Sequence, residues 1–338
     1  MRSLILSYND SLLKKEHGKS GIGLFNGKLG LCIYFYLQHH VYKDRRFENK
    51  ANELLVEIIS EVDKLKDTSL AAGLTGIGLG IDFLLTAGMC EGNPNIVLKE
   101  VDDTLFKALC GSCVTNNNNV YEDICKCLYV SRRLGNSKFS PKERVLFEEL
   151  LIRSFNKICN NMGAVINSEP TMFSPFGYPL LLFLYLINQM RAIHVYDEKI
   201  HRVIHEWYDK LYAMRPVSNG HRYLLNKMLQ TVVGIDECQL DELDIDIRRF
   251  FTEEMKNKSL SLSSGVSALW LFMQIVGLQD ASIEEFVKNK IYESDIWQNI
   301  GGDSPLTSDS FAAGLPGIIL TYQFLNKSYN STINLQTK

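Results

Sequence analysis

Two kinds of segment alternate along the 338-residue chain. One kind is apolar almost without interruption, as in "LCIYFYLQHH", "LLLFLYLINQM" and "ALWLFMQIVG", and predicts helices buried on all sides. The other carries charges, with apolar residues at helical spacing on one face, as in "RFENKANELLVEIISEVDKL", "SPKERVLFEELLIRSFNKI" and "DELDIDIRRFFTEEMKN". These predict amphipathic helices laid against the first kind. "SPKE" from Ser140 has the Ser-x-x-Glu form of a capping box, with proline at the first helical position. No run alternates convincingly with period two, so no sheet is expected.

A short phrase, apolar-x-x-Gly-x-x-small-apolar, stands at the head of the apolar segments. Four copies are plain: "LFNGKLGL" at Gly27, "LAAGLTGI" at Gly73, "LSSGVSAL" at Gly265 and "FAAGLPGI" at Gly314. Three weaker ones fall between them: "SPFGYPLL" at Gly177, "VSNGHRYL" at Gly220, and "ICKCLYVS" with Cys127 in the glycine's place. Successive anchors are 46, 54, 50, 43, 45 and 49 residues apart, so seven units fill nearly the whole chain. The pattern predicts an all-α fold, an α/α toroid of seven inner and about seven outer helices, as a single domain over residues 1–338. Glycines three apart share a helix face and let neighbouring backbones approach. The unpaired N–H groups of the inner-helix starts then gather at one mouth, a natural place to hold an anion or a peptide.

Composition narrows the partners. A formal net charge of -3 and a pI near 6.2 lack the basic excess of a nucleic-acid binder. "MRSLILSYND" has only a three-residue apolar run, too short for a secretory segment, and the longest apolar run, Pro179 to Ile187, is nine residues and cannot span a bilayer. A cytoplasmic protein without a membrane span is expected, its eight cysteines reduced. Cys110, Cys113, Cys125 and Cys127 lie within eighteen residues, which leaves open a metal or redox site as against small core residues. His201 and His205, one turn apart in a charged segment, read as a solvated face.

The phrases "GLFNGKLGL", "LAAGLTGIG" and "FAAGLPGII" resemble those of the lanthionine synthetase C-like (LanC-like) proteins, the cyclases of lanthipeptide maturation, over roughly Gly21 to Asn326. The resemblance implies the toroid and a zinc ion in its mouth, held by two cysteines and a histidine. That zinc activates a substrate cysteine thiol, which adds to a dehydrated serine or threonine to close a thioether ring. The three ligand positions are Ser218, Ser263 and Ser264 here. A serine hydroxyl is a weak neutral donor at neutral pH, so no zinc cofactor is expected.

The family's histidine before the fourth anchor is Phe176 here, its acid four residues before the third anchor matches Asp123, and its arginine upstream of the fifth is Arg215, one place out of register. Asp123 is a candidate to hold or relay a proton, or a helix cap. His221, beside Gly220, is a second catalytic candidate. Phe176, Arg215 and Asn219 are candidate peptide contacts. The reading is a zinc-less, non-catalytic LanC-like protein that binds a precursor peptide or a peptide-maturation enzyme. The alternative is an active cyclase with a rebuilt site using Asp123 and His221 or a relocated metal. A hydrolase on an α/α barrel would need two carboxylates at the mouth, where the phrases supply Asp123 and, farther off, Asp309.

Overall fold

The four plain glycine phrases each start a helix in the same way. In the computed structural model, Gly27, Gly73, Gly265 and Gly314 are the N-caps of helices Lys28–Tyr42, Leu74–Thr86, Val266–Ile275 and Leu315–Leu325. The first helical N–H donates to a carbonyl seven residues upstream in every case: Lys28 to Gly21 at 2.8 Å, Leu74 to Asp67 at 2.8 Å, Val266 to Ser259 at 2.9 Å and Leu315 to Ser308 at 3.1 Å. The loop folds back over its own helix start, which satisfies a donor that the helix leaves unpaired. The anchors have extended backbone, with φ from -101° to -124°, which any residue adopts. Glycine is required instead by close approach, since a Cβ at Gly314 would lie 2.0 Å from the Ser308 carbonyl oxygen and one at Gly265 would lie 2.2 Å from that of Ser259.

The structure describes residues 1–17, 20–114, 119–136, 139–233, 252–298 and 308–326, and among these there is no strand. The chain divides into two compact units, residues 1–92 with 258–338, and residues 93–257.

In the first unit the four phrases are joined to one another. Ser263 N–H donates to Ala312 O at 3.0 Å, Ala312 N–H to Phe25 O at 2.9 Å, and Phe25 N–H to Ala71 O at 3.0 Å. All four residues stand two places before their anchor, so the sixth, seventh, first and second phrases form one hydrogen-bonded series that joins the two ends of the chain. The apolar residue three before an anchor fills the gap left by the small residue three after its neighbour's anchor. A Cβ at Gly30 would meet Phe311 at 2.5 Å, one at Gly76 would meet Leu24 at 3.1 Å, and one at Gly317 would meet Leu262 at 2.4 Å. The phrase is therefore a knob and its hole written in one motif. Asn9, Tyr34, Gln38 and Gln323 link side chains in the buried interior, Gln38 and Gln323 through reciprocal amide bonds of 2.8 and 3.0 Å. Helix Arg45–Glu61 covers Lys28–Tyr42 with Phe47, Ala51, Leu54 and Ile58, a single apolar stripe.

The second unit packs Pro179–Ala192 against both Val120–Asn136 and Asn219–Met228, covered by Lys99–Val114, Pro141–Asn160 and Asp197–Ala213. Here the weaker phrases depart from the pattern. Cys127 lies two turns inside Val120–Asn136 rather than at its start, Gly177 ends a short 3-10 turn two residues before Pro179, and Gly220 is the second residue of its helix. The Ser140–Glu143 capping box forms as the sequence predicts. His201 and His205 are exposed on Asp197–Ala213. Of the segment "DELDIDIRRFFTEEMKN", residues 241–251 lie outside the described residues, and 252–256 are helical.

Candidate functional site

In the second unit the start of helix Asn219–Met228 is held by two carboxylates from distant parts of the chain. Val217 N–H donates to Glu169 Oε2 at 2.8 Å and Ser218 N–H to Glu169 Oε1 at 3.1 Å. Asn219 N–H donates to Glu254 Oε2 at 2.8 Å, and the Ser218 hydroxyl donates to Glu254 Oε1 at 2.9 Å. A helix start carries unpaired donors and partial positive charge, so carboxylates are the groups it binds best. The N–H groups that the sequence offers to an outside anion are at this helix occupied by the chain's own acids.

His221, in the first turn of the same helix, is fully buried between Phe173 and Tyr178, with ring centroids 5.1 and 4.9 Å away. Its Nε2 accepts from the Ser174 backbone N–H at 2.9 Å, which can only donate. The ring proton is therefore on Nδ1, which donates to Glu169 Oε1 at 2.9 Å. Burial pushes the imidazole below its ordinary value, outweighing the opposing pull of Glu169. Burial by itself would raise the Glu169 carboxyl, yet the bonds from His221, Val217 and Ser218 hold it below its ordinary value. His221 is thus neutral at pH 7 with both nitrogens engaged, and it presents no basic lone pair to a substrate. The Tyr178 hydroxyl beside it is buried without a hydrogen-bond partner among the described residues.

The other candidates separate. Asp123 is buried in the first turns of Val120–Asn136, and its Oδ2 accepts from Lys157 Nζ at 2.7 Å, a pair that ties this helix to Pro141–Asn160. Phe176 is half-buried and its carbonyl accepts from Tyr121 Oη at 3.1 Å. Arg215 is exposed, with Nη1 donating to the Met214 carbonyl at 2.9 Å. Asn219 is half-buried at the helix start. Asp309, in the first unit, accepts from Lys15 at 2.6 Å and from Tyr8 at 3.2 Å.

Ser218 belongs to the second unit and Ser263 and Ser264 to the first. Ser261 Oγ lies 3.2 Å from Ser263 Oγ and 3.5 Å from Ser264 Oγ, and it also accepts from the Ser264 N–H at 3.3 Å. Neutral hydroxyls already hydrogen-bonded in this way do not fit a zinc ion, which takes thiolate, imidazole or carboxylate. Among the described residues no group of three histidine, cysteine, aspartate or glutamate side chains is arranged to hold a metal ion. Of the four clustered cysteines, Cys110 and Cys113 are exposed whereas Cys125 and Cys127 are fully buried, their thiols pushed up by burial.

Glu169 and Glu254 were not legible as site residues. They lie 52 residues from His221 and 35 from Asn219 in the chain, and neither falls in a glycine phrase. The one available signal was weak: an acid in the polar loop "NSEPT" and another in the charged segment between the fifth and sixth phrases.

The fold defined by these helices is all-α, of the α/α-toroid type. The chain superposes on the solved structure of nisin cyclase with a TM-score of 0.66 at 14% identity, over 99% of this chain and 96% of that one. No family model and no curated protein matches the sequence. No helix among the described residues is long and apolar enough to cross a membrane.

Proposed function

We propose that the protein is a divergent LanC-like member of a lanthipeptide-type maturation system. In this reading it acts in the cytoplasm as a non-catalytic binder of a precursor peptide or of the enzyme that modifies it, and residues 1–338 work as one domain. The likeness to nisin cyclase over 99% of the chain supports the peptide-maturation setting. One observation carries the non-catalytic part. The hydroxyls of Ser218, Ser263 and Ser264, at the positions where the family has zinc ligands, are bonded to Glu254 or into a serine cluster. A cysteine thiol with a pKa of about 8.5 is only slightly ionised at neutral pH, so ring closure needs an activator. The candidates for a replacement base are both occupied, Asp123 by Lys157 and His221 by Ser174 and Glu169.

The bound peptide lies across Phe176, Arg215 and Asn219, beside the exposed side chains of Met172 and Val217. Calorimetric titration with a synthetic peptide carrying a cysteine and a dehydroalanine tests this. Binding that persists in a chelator and weakens in Phe176→Ala and Arg215→Ala supports the reading. Binding that requires zinc refutes it.

A further inference from the structure

The last turn of helix Lys99–Val114 carries two thiols that the proposed function does not use. Cys110 and Cys113 are both exposed and stand three residues apart, hence on one helix face. The Arg153 guanidinium, on the neighbouring helix Pro141–Asn160, is near enough to attract both sulfurs once they are thiolates. It donates through Nε to Glu149 at 2.7 Å. Behind the pair, Ser154 Oγ lies 3.8 Å from Cys113 Sγ and also bonds the fully buried Cys127.

We infer that Cys110 and Cys113 form a surface two-thiolate site for a soft monovalent cation of the Cu(I) class. Helical neighbours at this spacing have Cβ atoms about 5–6 Å apart. A disulfide needs roughly 3.5–4.5 Å, so a direct S–S bond requires the turn to distort. One ion between the two sulfurs bridges the wider gap. Soft thiolates select Cu(I), while a zinc site asks for four ligands and the second pair of thiols is buried. Binding converts two thiols and one Cu(I) into a bis(thiolate) complex of net charge minus one, with two protons released to water. Arg153 offsets that charge.

The test is an anaerobic titration of the full chain with Cu(I) in competition with bicinchoninate. The wild type should take up one ion per chain. Cys110→Ser and Cys113→Ser should each abolish this uptake without changing the melting temperature, because both side chains are exposed. Arg153→Gln should weaken it about tenfold, as outer-sphere partners of a metal do. Cys159→Ser and Cys238→Ser should leave it unchanged. Uptake retained in Cys110→Ser, or lost in Cys159→Ser, overturns the assignment. So does a wild-type chain that takes no Cu(I) and instead closes a Cys110–Cys113 disulfide with glutathione disulfide.

Discussion

Alanine at Gly76 tests why the repeated phrase is written with glycine. The residue sits in the first turn of helix Leu74–Thr86, where helix propensity alone favours alanine by about 1 kcal/mol. Packing predicts the opposite sign. A Cβ at Gly76 would lie 1.9 Å from the Leu70 carbonyl oxygen, where ordinary contact begins at 3.4 Å, so the loop must retreat by about 1.5 Å. That loop carries the bonds from Leu74 N–H to Asp67 and from Phe25 N–H to Ala71. Overpacking of this kind costs about 1–3 kcal/mol, and weakening two hydrogen bonds adds about 1 kcal/mol each. Less the propensity gain, Gly76→Ala should lose about 2–4 kcal/mol. Guanidinium unfolding followed by helical circular dichroism measures this, with Gly111→Ala as the control, since its new Cβ meets nothing within 4 Å among the described residues. Gly76→Ala should unfold at clearly lower denaturant and Gly111→Ala at the same or higher. A Gly76→Ala midpoint at or above the wild type would refute the knob-and-hole account of the phrase.

Further outcomes follow from the buried charges. His221 has its folded pKa below the unfolded 6.5, so the unfolded chain binds the extra proton, and the stability it confers is present above about pH 6.5 and lost on acidification. Glu169, also depressed, adds a second loss as pH falls below its unfolded 4.5. The unfolding midpoint should therefore fall between about pH 7.5 and 5.5, and His221→Gln should flatten that part of the curve; a wild-type midpoint no lower at the acid end contradicts it. Asp102→Ala should cost about 3–5 kcal/mol, because it strands the fully buried Arg133, which Asp102 holds at 2.7 Å. The double change Asp102→Leu with Arg133→Met should recover much of that loss; a loss that stays undiminished in the double variant argues against a stranded charge.

The helical class was legible because both signals behind it are local. Apolar runs such as "LLLFLYLINQM" leave a helix no wet face, and the Phe47, Ala51, Leu54, Ile58 stripe sets one side of its neighbour. The phrase itself was legible, but its meaning was not: the residue that fills the gap over Gly30 is Phe311, at the other end of the chain. The weaker copies misled at Cys127, where only residue size recurs and the helix starts seven residues earlier. Around His221 the sequence showed the histidine and Ser218 but not the acids that bind them. A carboxylate that caps a helix from 35 residues away leaves no spacing rule to follow.

Whether the proposed peptide binder stops short of ring closure is read from the rate of thioether formation. Addition leaves the peptide mass unchanged, so the readout is the loss of thiol that reacts with N-ethylmaleimide. The substrate is a peptide bearing one cysteine and one dehydroalanine, incubated with zinc-equilibrated protein. The account predicts a rate equal to that in buffer alone. Thiol loss accelerated by the protein, and abolished by removing zinc, would contradict it.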